Sequence, residues 1–87
     1  MTPQEMMGEL IRRKESSCFD EETINLCFQV MISHPNKIEK CRAATILSGI
    51  VEKGLGKRTQ KFLGDNPFLP ERVKEVLNSA ILRMEGF

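Results

Sequence analysis

Apolar residues recur at helical spacing along most of this chain, and no segment alternates with the period of two that marks a strand. Met6, Met7, Leu10 and Ile11 form the first stripe. It follows Thr2-Pro3-Gln4-Glu5, a capping box in which Thr2 accepts from the amide at position 5 and Glu5 reaches back. Pro3 suits the first helical turn, where a missing N–H is no loss. "RRKESS" then sets cations at the carbonyl end, as the macrodipole prefers.

A second helix reads from about Glu21 to Ser33, opened by Asp20 and stopped at His34-Pro35. Ile24, Cys27, Phe28 and Met31 share one face, and Leu26 and Val30 widen it beyond half the cylinder. A helix of this kind needs cover on more than one side, so it belongs at the centre of a bundle or at a subunit interface. The third helix starts at Asn36, with Glu39 three residues on, and reads through to Lys53, with Gly54 as a left-handed terminator. Ala43, Ile46, Leu47, Ile50 and Val51 supply its buried face. Gly49 then falls inside it, at about 1 kcal/mol relative to Ala, which suggests a close helix crossing.

Past "GLG", Lys57 to Leu63 reads as a short helical piece ended by Gly64, and "DNP" is turn chemistry. The last helix begins at Pro70. Val73, Val76, Leu77, Ala80, Ile81 and Met84 make the cleanest stripe in the chain, with Leu82 off it. The expected fold is all-α: one domain over residues 1–87, a small bundle of four main helices plus one short helical turn, with no sheet.

Eighty-seven residues support one modest core. The chain sits just above the size at which small folds need staples, so self-association as a homodimer is expected to add buried area. With five Phe, five Met and neither Trp nor Tyr, the core is aliphatic with Met as adaptable filler. Three cysteines, an odd number, point to a reducing compartment, hence a cytoplasmic protein. No apolar run is long enough to span a membrane. The first residues lack the basic-then-apolar layout of a secretion signal.

Net charge is only +1, but it is unevenly spread. Residues 1–33 hold three Lys/Arg against six Asp/Glu, whereas residues 34–61 hold seven against two. The positive charge gathers in the middle third.

Catalytic and metal chemistry find little support. The single histidine, His34, lies in a turn before Pro35, and a catalytic base needs an oriented nucleophile and a further orienting group. Cys18, Cys27, His34 and Cys41 are spaced nine, seven and seven apart, which matches no compact ligand pair. Asp20-Glu21-Glu22 sits at a helix start, where carboxylates favour the dipole. No P-loop or dinucleotide fingerprint occurs. The expectation is a non-enzymatic protein with no cofactor, no metal and no small-molecule substrate.

Two surfaces remain. The first is "IVEKGLGKRTQKFLG", residues 50–64. Gly54, Leu55, Gly56, Lys57, Arg58, Thr59 and Leu63 can be laid on the turn and second helix of helix-turn-helix repressors, which "GLGKRTQKFL" resembles, and "PERVKEVL" is similar to the helix after the reading head in some of them. The pattern departs at Gln60 and Ile50, where the motif uses an apolar and a small residue. The helix entering Gly54 is also longer than the motif's. The resemblance implies that Lys57, Arg58, Thr59, Gln60 and Lys61, with Lys53 beside them, face phosphates and base edges. An acidic protein would be drawn to the same charge. The second surface is surplus apolar area: Leu26 and Val30, Phe68-Leu69 in a proline-bracketed turn, and Leu82 with Phe87. The leading expectation is a small regulatory protein that binds another protein and self-associates. The alternative is a DNA-binding regulator using residues 53–61.

Overall fold

Side-chain caps set the first three helices. In the computed structural model, which describes residues 1–84, Thr2 opens α1 (Pro3–Glu15) with the full capping box: its hydroxyl accepts from the Glu5 amide, and the Glu5 carboxylate accepts from the Thr2 amide at 2.8 Å. Asp20 opens α2 (Glu21–Ser33) by accepting from the Thr23 amide. Asn36 opens α3 (Lys37–Ser48) by accepting from the amides of Ile38 and Glu39. Each cap satisfies donors that a helix start leaves unpaired.

The third helix is shorter than its apolar pattern suggests. Its C-cap is Gly49, whose amide bonds back to Ile46 and Leu47 carbonyls, so Gly49 ends the helix instead of lying inside it. Ile50 is still buried, but from the connection that follows, and Val51 is exposed. Gly54 does adopt a left-handed conformation, with φ of 83°. It opens the next helix, however, and does not close the third. That helix, α4 (Leu55–Asp65), is a full element of 11 residues. The last, α5 (Glu71–Met84), runs as its stripe predicts. The described residues therefore form an all-α fold of five helices, not four plus a short turn, and contain no strand. No helix among them is long and apolar enough to cross a membrane.

Packing follows the stripes. α2 lies between α1 and α3, α3 also carries α5, and α4 packs on α5. Leu10, Ile24, Cys27, Val30, Met31, Leu47, Val73 and Leu77 are fully buried in one continuous core. α4 joins it through Leu55, Gly56 and Thr59. The ring of Phe62 on α4 meets Phe28 of α2, with centroids 4.5 Å apart. The result is a slab of 33 × 30 × 16 Å, thin enough that the grooves between neighbouring helices open on its faces.

Candidate functional site

The basic segment of residues 53–61 does not present one surface. Lys53, Lys57, Gln60 and Lys61 are exposed, and Lys61 pairs with Asp65 at 3.0 Å. Arg58 turns back onto α2: its guanidinium donates to Glu21 at 3.0 Å and to Asn25 at 3.3 Å, and lies 5.9 Å from the Phe28 ring centre. Thr59 is fully buried and donates to the Met84 sulfur, so it reaches neither phosphate nor base, contrary to the sequence expectation. A helix-turn-helix joins its two helices by three or four residues and packs them together. Here six residues, 49–54, separate α3 from α4, and α4 packs on α5.

The surplus apolar residues also divide. Val30 and Leu69 are buried in the core, which removes both from any free surface. Leu26 is half-buried. Phe68 and Leu82 are exposed, at 97% and 74%, and Phe87 lies outside the described residues. Most of the apolar surface of α2 is covered by this chain itself, by α1 on one side, α3 on another and Phe62 against Phe28, while Ile32 stays 54% exposed. Of the two placements open to that helix, the centre of the bundle accounts for its pattern.

A surface that the pattern of apolar positions did not single out runs along α3 and α5, with α1 at one end. Ile11, Ile38, Cys41, Ile46 and Val76 give its apolar part, and the first hollow encloses about 430 Å³. The hollow continues past Thr45, Arg72 and Val76 into a second one bounded by Ser48, Ser79 and Arg83. Each helix contributes a regular stripe: Ile11, Lys14 and Glu15 on α1; Ile38, Cys41, Thr45 and Ser48 on α3; Arg72, Val76, Ser79 and Arg83 on α5. Spacings of three and four place each set on one helix face. Small Thr45, Ser48 and Ser79 keep the groove open, while Ile38 at its lip is 70% exposed.

Three of the four cations around this groove are without an ion pair among the described residues. Arg42 is held by Glu39 at 2.9 Å. Lys14, Arg72 and Arg83 make no ion pair among the described residues. Against these four cations stand the carboxylates of Glu15, Glu39 and Glu75, of which Glu39 is the one already paired. The sequence signal was present in the spacing of Arg72, Val76, Ser79 and Arg83. Its mixture of polar and apolar residues gives no hydrophobic stripe, and three of the four cations lie outside the basic middle third.

His34 and Cys27 are both withdrawn from solvent. His34 is buried, and its Nδ1 accepts from the Asn36 amide at 3.1 Å, which braces the turn before α3. Cys27 is buried in the core, and loss of solvation pushes its thiol up to about 12. Cys18 is exposed and Cys41 half-buried, and all three thiols are free. Among the described residues, no three His, Cys, Asp or Glu side chains converge to hold a metal ion. No protein-family model matches this chain, and neither a curated protein nor a solved structure shows significant similarity to it.

Proposed function

We propose that this chain is a non-enzymatic regulatory module that acts by binding another protein, with the α1–α3–α5 groove as its contact surface. The observation that carries the proposal is the union, in one groove, of an exposed Ile38 with three cations, Lys14, Arg72 and Arg83, that make no ion pair among the described residues. Apolar area beside unspent charge is the composition of a contact that gains both burial and complementarity. A catalytic role finds less support, since Nδ1 of the only histidine is occupied by a backbone amide and Cys27 is sealed from solvent. Three free thiols suit a reducing compartment, which favours a cytoplasmic setting.

Self-association carries less weight in this proposal than the apolar count of α2 suggests, because Ile24, Cys27, Val30 and Met31 are buried within one chain and leave Ile32 as its exposed apolar residue. The nucleic-acid alternative keeps Lys53 and Lys57 but loses Thr59 to the core and Arg58 to an ion pair with Glu21.

The test is a selection of displayed random peptides against the purified chain. Enriched peptides should bind the wild type and lose binding to Ile38→Asp, whose helicity by circular dichroism should match the parent. Peptides indifferent to that substitution would count against the groove. Retardation of a DNA duplex at low salt, abolished by Lys57→Glu, would replace the proposal with the nucleic-acid alternative.

A further inference from the structure

Resting on the reading of the groove as a protein contact, we infer that its occupant is an amphipathic helix of a partner protein with carboxylates flanking its apolar stripe. The shape comes first. Arg72 to Arg83 on α5 spans eleven residue steps, about 16 Å at 1.5 Å each, so the groove accepts about three turns of a guest helix. α3 and α5 run in the same sense along it, since Ile38 shares the first hollow with Arg72, and Ser48 shares the second with Arg83. A trough between two helices, apolar in its first hollow and edged by small polar residues in its second, receives anchors spaced i, i+3, i+4 and i+7.

Charge selects among such helices. Lys14 and Arg42 stand on the α1–α3 side of the trough, and Arg72 and Arg83 on the α5 side. Cations on both rims ask for acidic residues on both flanks of the guest's apolar stripe. With Glu39 already paired to Arg42, and Glu15 and Glu75 beside the groove, a surplus of one positive charge remains, four against three. A phosphate backbone would satisfy the rims but leave the apolar side chains of Ile38 at the lip and Val76 within the groove uncovered, which is why a peptide fits better. Exposed ion pairs contribute modestly, so three of them, at Lys14, Arg72 and Arg83, raise affinity by about tenfold over a neutral helix.

The experiment compares two synthetic peptides of equal helical propensity and identical Leu/Ile stripe, one flanked by Glu and one by Lys. Binding to the wild-type chain is read by fluorescence anisotropy at low and high salt. The Glu peptide should bind about tenfold more tightly at low salt, with the difference shrinking as salt rises. Arg72→Glu combined with Arg83→Glu should abolish or invert that preference, while Ile38→Asp should weaken both peptides. Equal binding of the two peptides overturns the acidic specificity but leaves the groove a helix site. Binding of neither peptide, while displayed clones still depend on Ile38, overturns the occupant and spares the protein contact. Displacement of the Glu peptide by a DNA duplex overturns both.

Discussion

The Thr59 hydroxyl donates to the Met84 sulfur across 3.3 Å, and both side chains are fully buried. This contact closes the end of the slab: it ties the middle of α4 to the last residue of α5, whose carbonyl also accepts from the Glu52 amide at 3.4 Å. Sulfur is a weak acceptor, so the hydroxyl gains little from the bond. Removing a buried donor and keeping its shape is then nearly neutral. Thr59→Val should keep the melting transition within the equivalent of about 1 kcal/mol of the parent. Thr59→Lys should unfold α4 from α5, because a buried ammonium has no partner there. Thermal denaturation followed by circular dichroism checks both. A large loss in Thr59→Val would mean that the hydroxyl serves something other than packing.

Val30 separates a packing role from an interface role. It is fully buried between α2 and its neighbours, so an aspartate there carries an unpaired charge into the core. Such a change costs about 4 kcal/mol or more. A domain of this size holds about 4–13 kcal/mol in all, at roughly 0.05–0.15 kcal/mol per residue. Val30→Asp should therefore unfold the chain or leave it barely folded. Leu26→Asp, at a half-buried position, should retain native helicity. Urea denaturation at two protein concentrations checks this, since an interface residue would shift the midpoint with concentration and a core residue would not.

Two glycines should respond in opposite directions. Gly49 caps α3 with φ of −87°, and a Cβ there would meet only the Ile46 carbonyl oxygen at an ordinary 3.5 Å. Gly49→Ala should stabilise by about 0.4–1 kcal/mol, chiefly by restricting the unfolded chain. Gly54, at φ of 83°, has open space around it but a backbone conformation that L side chains resist. Gly54→Ala should destabilise by about 1–2 kcal/mol. Paired urea midpoints measure both, and the difference in sign is the informative result.

Those glycines also show where the sequence could and could not be read. α1, α2 and α5 were legible because cap chemistry and apolar spacing agree at Thr2–Glu5, at Asp20 and along Val73–Met84. The end of α3 was not. Ile50 continues the apolar period from a non-helical position, held by a bond from its amide to the Leu47 carbonyl, so the period outlasts the helix. The start of α4 was hidden because Gly54 offers no capping side chain. Burial of Thr59 and Leu69 depends on α5 and on the turn before it, partners that spacing alone does not reveal. The candidate groove was the least legible part, since it exists only where faces from α1, α3 and α5 meet.

Acid should loosen the α1–α2 corner first. Arg13 bonds Glu9 and Glu22 at 2.9 Å each, Asp20 at 3.2 Å and the Thr23 hydroxyl at 3.3 Å, joining the end of α1 to the start of α2. The Arg13 guanidinium holds the Glu9 carboxyl below its ordinary range. The Thr23 amide and hydroxyl do the same for Asp20, with Arg13 adding to it. The Thr2 amide lowers Glu5 in its capping box. A carboxyl lowered on folding stabilises the native state above its unfolded value of about 4 and loses that contribution as pH falls through the folded value. The urea midpoint should thus stay level from neutral pH to about 5 and then decline below about 4. Arg13→Gln should lower the midpoint at neutral pH and flatten the acid decline, because Glu9 and Asp20 lose a cation that their protonation would otherwise forfeit. Asp20→Asn can still accept from the Thr23 amide, so it should reduce the decline while keeping α2 helical. A midpoint that falls equally steeply in Arg13→Gln would assign the acid response to other carboxylates.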